Sequence, residues 1–214
     1  DALAFSRPVR WLVALVGDAV VPTAWAGLAA GRATRLFRAP GSPTVEVASA
    51  ETLLGALTDG GLMPDRDERR TAIVDGTAAL AATVGGTVDV DRWGNLVDEI
   101  VDLVEAPTPV LGAFDPAHLA LPPEVLTAVM TKHQRYLPVT DADGGLLPHF
   151  VTVANGACDT DVVRRGNEAV IAARYADATF FVARDRETPI ADMVAGLATL
   201  TFDSRLGSMA DRVE

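Results

Sequence analysis

Lysine is almost missing from this chain. Lys132 is the one lysine in 214 residues, and the other basic side chains, out of 18 in all, are arginines. Cysteine is as scarce: Cys158 stands alone. That excludes an internal disulfide and fits a reducing compartment. Every apolar run is broken by charge or glycine well before the ~18 residues of a membrane span, so no membrane association is expected. No basic segment leads into an apolar stretch with a small-residue cleavage site, and a cytoplasmic location is the expectation. The chain opens "DALAFSRP" without methionine and closes "GSMADRVE", which reads like the start of a helix. An excised piece of a longer polypeptide is expected.

Catalytic signatures are missing too. There is no P-loop, no G-x-G-x-x-G and no G-x-S-x-G. His118, His133 and His149 are far apart and form no H-x-x-x-H or H-E-x-x-H pattern, so no metal site is expected. Cys158 follows a predicted strand and reads as a packed or loop thiol. A cysteine nucleophile needs a histidine brought close by the fold. No catalytic constellation emerges, and no cofactor is expected within this stretch.

What is present is enough apolar material for a core: 49% hydrophobic residues against 22% charged. A net charge of −11 argues against generic nucleic-acid binding. The charge is uneven, however. Residues 1–40 hold five arginines against two acids, residues 41–118 four against fourteen, and residues 119–214 nine basic groups against thirteen acids. Less acidic ends around an acidic middle leave room for a local basic surface.

Patterning predicts an α+β fold, a mixed or antiparallel sheet packed with several helices. Its two parts, 1–118 and 119–214, are expected to form one compact unit. Apolar runs flank a tight turn at Gly17-Asp18. "GRATRLFRAPGSP" reads as a strand end and loop, and "TVEVA" as a short strand. Ser49 is expected to cap a helix reaching about Leu57. Asp65, Asp67 and Glu68 open a helix with the stripe Ile73, Thr77, Leu80 and Val84, which stops at Gly85-Gly86. Trp93, Val97, Ile100 and Val104 mark another. "TPVLGAF", "RYLPV" and "LLPHFVTVAN" read as strands, the last two joined through Asp141–Gly145. "PPEVLTAVMTKHQ" is a proline-opened helix. The last long helix is predicted from about Asp161 to Arg184, with a weaker one after Pro189.

Two segments could hold RNA. In "KHQRYLP", Lys132–Pro138, the lone lysine adjoins His133, Gln134, Arg135 and Tyr136. Cations and an amide could meet phosphates or base edges, with Tyr136 as a stacking face; equally, the same residues suit a polar helix end. On the last helix, at 100° per residue, Val162, Val163, Ala169, Val170, Ala173, Ala176, Phe180 and Phe181 fall on one side. Arg164, Asn167, Glu168, Arg174 and Tyr175 fall on the other. The first set is expected to be buried. The second is either a solvated face with an Arg164–Glu168 pair or a ladder for phosphates. Asp177 projects toward the apolar side, and a structural role as a buried, partnered carboxylate is expected. Arg10, Arg32, Arg35 and Arg38 form a second cationic group.

Longer strings carry a family resemblance. "LPPEVLTAVMTKHQRYLPVTDADGGLLPHFVTVANG", "RRGNEAVIAARYADATFFVARD" and "LTFDSRLGSMADRVE" resemble the β subunit of bacterial heterotetrameric glycyl-tRNA synthetase. The family pattern includes L-P-x-E-x-L-x-x-x-M-x-x-H-Q-(R/K)-Y-F-P-V, then G-N-E-x-V-x-x-x-R-x-x-D-A-x-F-F, then L-G-(S/T)-x-x-D-(K/R). "RPVRWLVAL" and "MPDRDERR" also look like family segments. Two departures stand out. "RLFRA" at Arg35–Ala39 replaces the usual R-G-H-R-F, and Leu137 replaces the aromatic after the tyrosine.

The resemblance implies an ATP- and Mg²⁺-dependent glycine-tRNA ligase in which the α subunit, or α portion of a fused chain, forms and transfers the adenylate. The β subunit would serve tRNA binding and assembly. This stretch would precede an HD-like domain and an anticodon-binding domain of the same chain, and would look like the B3/B4 region of the phenylalanine enzyme's β subunit. Three readings follow: a tRNA-binding scaffold facing tRNA(Gly), a structural module between domains or subunits, or an editing domain that hydrolyses mischarged tRNA. The first is the expectation. It places Lys132, His133, Gln134, Arg135, Tyr136, Arg164, Asn167, Arg174, Arg35 and Arg38 toward RNA.

Overall fold

The computed structural model describes residues 9–38 and 41–213. The first eight residues, Glu214, and Ala39 and Pro40 of the predicted loop lie outside them. The N-terminal quarter is a set of short strands: β1 (Leu12–Val13), β2 (Leu15–Val16), β3 (Ala19–Val20), β4 (Ala24–Trp25), β5 (Leu28–Gly31), β6 (Ala33–Arg35) and β7 (Thr44–Glu46). The expected turn at Gly17-Asp18 joins β2 to β3, with Leu15 opposite Val20 and Val16 opposite Ala19. β6 pairs antiparallel with β7. Helices α1 (Leu53–Asp59), α2 (Arg66–Ala82) and α3 (Gly94–Leu103) follow. Ser49 starts a short 3₁₀ turn ahead of α1. Asp65 caps α2, its carboxylate accepting the N–H groups of Asp67 and Glu68.

The remaining elements build the centre of the molecule. Strand β8 (Pro107–Ala113) leads to helix α4 (Pro123–Ala128), which runs on into a π-helical turn, Val129–Gln134. Strands β9 (Leu137–Thr140) and β10 (Leu146–Asn155) form the hairpin around the Asp141–Gly145 turn. The sheet order is β8-β10-β9, antiparallel throughout. Helix α5 (Thr160–Glu187) is followed by α6 (Ile190–Val194), β11 (Thr201–Asp203), β12 (Gly207–Ser208) and α7 (Met209–Val213).

Alternation along the strands supplies two cores. Leu137, Val139 and Val151 face α2 and α3, joining Ile73, Ala81, Leu96, Val97, Ile100, Val101 and Val104. Tyr136 and Phe150 face the other way, joining Leu126, Met130, Ile171 and Tyr175 from α4, the π turn and α5, with Phe114 and Leu121. The fold is α+β: an antiparallel sheet with helices on both faces. The N-terminal strands are tied to this centre by Phe37, which is buried with its ring against Gly156 at the end of β10.

Helix α5 departs from expectation. The set expected to be its buried side lies mostly outward: Val162, Ala169, Val170, Ala173, Ala176, Phe180 and Phe181 are exposed, and Val163 is half-buried. Its inner face carries Ile171 and Tyr175, both fully buried, with Ala178 and Val182 packed beside them. Of the polar set, Arg164, Asn167, Glu168 and Tyr175 turn inward and Arg174 stays exposed, so the two sides are largely exchanged. Arg164, Asn167 and Glu168 lie on the inner side because each has a partner there that offsets its desolvation. Asp177 is exposed, not the buried carboxylate expected, because it shares the outer side with Ala173 and Phe180.

Candidate nucleic-acid interface

The "KHQRYLP" segment is shaped by an irregular helix end. Pro123 opens α4, and the helix widens into the π turn at Val129–Gln134. Such widened turns often accompany functional positions. The turn buries Met130 and leaves Lys132 and His133 exposed. Arg135 then ends it in the left-handed conformation, at φ 57°, and the Tyr136 N–H closes back on the Met130 carbonyl at 2.8 Å. Outside glycine this conformation is uncommon. Here it reverses the chain so that β9 can begin.

That reversal decides the fate of each side chain. Arg135 Nε donates to Glu99 Oε1 at 2.6 Å across to α3. Tyr136 turns inward, only 3% exposed, and stacks on Phe150 with ring centroids 4.6 Å apart. Its hydroxyl donates to the Asn167 side chain on α5. Burial pushes the Tyr136 phenol up to about 12. Tyr136 therefore offers no open ring for a base, contrary to expectation: its faces belong to the core. Gln134 is half-buried.

Lys132 borders a groove of about 430 Å³ between the loop before α3, α4 and the β9–β10 hairpin. Asp89, Arg92, Trp93, Glu124 and Leu146 also line it. Arg92 lies over the Trp93 ring, 4.8 Å from its centroid. The helical spacing of Trp93 marks it only as a core residue and gives no sign of the groove. The pairing Arg92-Trp93 beside Asp89 was the available signal.

On α5 the two arginines differ. Arg164 is held by Glu168 at 3.0 Å and Asp161 at 3.3 Å, and these hydrogen-bonded carboxylates raise its pKa further. Glu168 also accepts the Ala113 N–H at 3.0 Å. Asn167 Nδ2 donates to the Val163 carbonyl. Arg174 is exposed and makes no ion pair among the described residues. The predicted ladder is thus divided: Arg164 and Asn167 are engaged within the protein, and Arg174 is open.

The second cationic group centres on Trp11. The guanidinium carbons of Arg10 and Arg35 each lie 5.9 Å from its ring centroid. Arg35 also reaches the Ser42 carbonyl at 3.4 Å, and Arg38 is exposed. Arg32 instead donates to the carbonyls of Asp18, Val47 and Ala48, holding the N-terminal strands together. No ion pair or hydrogen bond among the described residues joins this group to Lys132 or Arg174.

Among the described residues no three His, Cys, Asp or Glu side chains are grouped for a metal ion, and no helix is long and apolar enough to cross a membrane. Cys158 is exposed.

The family model described as glycyl-tRNA synthetase beta subunit matches residues 1–214. The chain is 41% identical over 213 residues to "Glycine--tRNA ligase, chloroplastic/mitochondrial 2" of Arabidopsis thaliana, covering 100% of this chain and 20% of that protein. It is 42% identical over 211 residues to the "Glycine--tRNA ligase beta subunit" of Desulfitobacterium hafniense strain Y51, covering 98% and 30%. Against the beta subunit of Moorella thermoacetica it is 45% identical over 208 residues, covering 96% and 29%. The chain thus spans less than a third of the length of these relatives. With the family model matched over all 214 residues, this chain belongs to the glycyl-tRNA synthetase β-subunit family.

Proposed function

We infer that this chain is a tRNA-holding and scaffolding part of a glycine-tRNA ligase. The whole enzyme joins glycine to tRNA(Gly) with ATP and Mg²⁺, the chemistry residing in the α subunit or α portion. The relatives' names support the pathway. The observation that carries the binding role is a set of open cations on an acidic chain: Lys132, Arg174, Arg35 and Arg38 are exposed and have no carboxylate partner among the described residues. Each open cation can replace a condensed counterion at a phosphate. His133 adjoins Lys132 and adds a donor. Arg135 and Arg164 are already paired, with Glu99 and with Glu168 and Asp161, so their charge toward a phosphate is partly offset.

The test is tRNA affinity against salt, in the full synthetase, for Lys132→Ala/Arg174→Ala and for Arg35→Ala/Arg38→Ala. Each phosphate contact removed should flatten the slope of log K against log salt by about 0.7–0.9. If both double variants keep the wild-type affinity and slope, these cations do not hold RNA.

A second reading, a module that only positions neighbouring parts of the synthetase, draws on the internal engagement of Arg135, Tyr136, Arg164 and Asn167. It predicts the flat outcome just described, together with loss of assembly when α5 is perturbed.

A further inference from the structure

The outer face of α5 is apolar and bare. Measured from Ile171 at the centre of the buried side, Val162, Gly166, Ala169, Ala173, Ala176 and Phe180 all lie within about 40° of the opposite pole. All six are exposed, Val162 at 56% and Phe180 at 59%. Between Val162 and Phe180 no charged residue falls within that arc. Phe181, also 59% exposed, packs edge-on against Phe180 with centroids 5.5 Å apart. The elements after α5 continue the exposure: Ile190 at 81%, Val194 at 58% and Leu206 at 65%.

The strip is about 27 Å long, carries no charge, and has valine at one end and phenylalanine at the other, unlike the charged outer face of an ordinary surface helix. Contiguous apolar surface of this kind on a soluble protein marks an interface. Small residues line its middle and larger ones its two ends, the profile of a helix that lets a second helix approach to the near end of the usual 8–10 Å spacing.

We propose that this face is the seat of a helix from the part of the β-subunit polypeptide that these 214 residues do not contain. The relatives carry this block within chains more than three times as long, so most of the subunit's own surface is available to cover it. A tethered partner also binds at high effective concentration. The exposed apolar residues run on along the chain from α5 to Leu206, which suits a broad contact with a neighbouring domain. The inference rests on family membership and on the geometry of α5; it is independent of RNA binding.

The test uses the full-length β subunit. A photo-crosslinking benzoylphenylalanine is placed at Ala173, with exposed Ala79 on α2 as the control site. The expected product from position 173 stays at monomer mass on a denaturing gel, maps to a peptide outside this block, and forms equally at high dilution and without the α subunit. Position 79 gives no such product. Hydroxyl-radical footprinting of the unmodified subunit covers the case in which the bulky probe disturbs packing. There, loss of oxidation at Phe180 and Phe181 is expected. A crosslink to a second copy, which would set Arg165 opposite Asp177 in an antiparallel pair, overturns the proposal. So does a crosslink only to the α subunit, or free oxidation of both phenylalanines.

Discussion

Glu168 Oε1 accepts the backbone N–H of Ala113 at 3.0 Å while the same carboxylate holds Arg164 four residues earlier on α5. Ala113 ends β8, an edge strand of the central sheet. What the spacing offers as an ordinary helix-surface pair is therefore a clamp between α5 and the sheet.

The clamp makes the two partners unequal. Glu168→Ala strands a half-buried strand N–H and should cost about 1–3 kcal/mol. Arg164→Ala leaves that hydrogen bond in place and, because the pair is still partly open to solvent, should cost about 1 kcal/mol or less. Urea midpoints of the two variants decide it; equal losses would reduce the contact to the ion pair alone.

Gly156 lies at φ +87°, and a Cβ there would run into the Phe37 ring. Gly156→Ala should therefore destabilise by about 2 kcal/mol or more, from backbone strain plus displacement of the ring. Phe37→Ala should cost about 3–5 kcal/mol by leaving a cavity. Adding Gly156→Ala to Phe37→Ala should cost less than it does alone, because the clash is gone. Thermal unfolding of the three variants measures the coupling, and strict additivity would deny the contact.

Tyr136 ties stability to alkaline pH. Burial raises its phenol from 10.0 to about 12. The unfolded chain loses that proton first, so this contribution is intact below pH 10, declines as pH rises toward 12, and is gone above it. Tyr136→Phe should remove that part of the alkaline loss. At neutral pH it should cost about 1 kcal/mol through the hydrogen bond to Asn167. Unfolding free energies measured between pH 8 and about 12 show the difference in slope.

Arg135 separates backbone from side-chain effects. Its φ of 57° is one that glycine adopts freely. Arg135→Ala keeps the strain that arginine already carries and loses only the half-exposed Glu99 pair, for an expected cost of under about 1 kcal/mol. Arg135→Gly should be near neutral. Should the alanine variant match glycine in Tm, the π turn does not depend on this conformation.

Much of the fold was legible because its signals are local. Asp65 accepts two N–H groups within three residues, and Asp141 accepts those of Asp143 and Gly145 within its own turn. Alternation in "LLPHFVTVAN" put Phe150 and Val151 on opposite faces of the sheet. The long motifs likewise pointed to the synthetase family from linear sequence alone.

The candidate site was legible in its residue types and not in their directions. The sequence pattern points Tyr136 and Asn167 toward RNA, yet they meet each other inside the protein, 31 residues apart in sequence. The lining of the Lys132 groove comes from three separate segments, so no single window displays it.

The sequence by itself determined that α5 would be a helix with one small, apolar side and one side of arginine, asparagine, glutamate and tyrosine. Only the tertiary structure decided which side is covered. Apolar residues pattern a face, but a polar face can be buried as well once remote partners satisfy it. The Ala113 N–H, the Tyr136 hydroxyl and the Leu126 carbonyl that accepts from Tyr175 supply those partners from other elements. The apolar side was left outward because no element among the described residues packs on it.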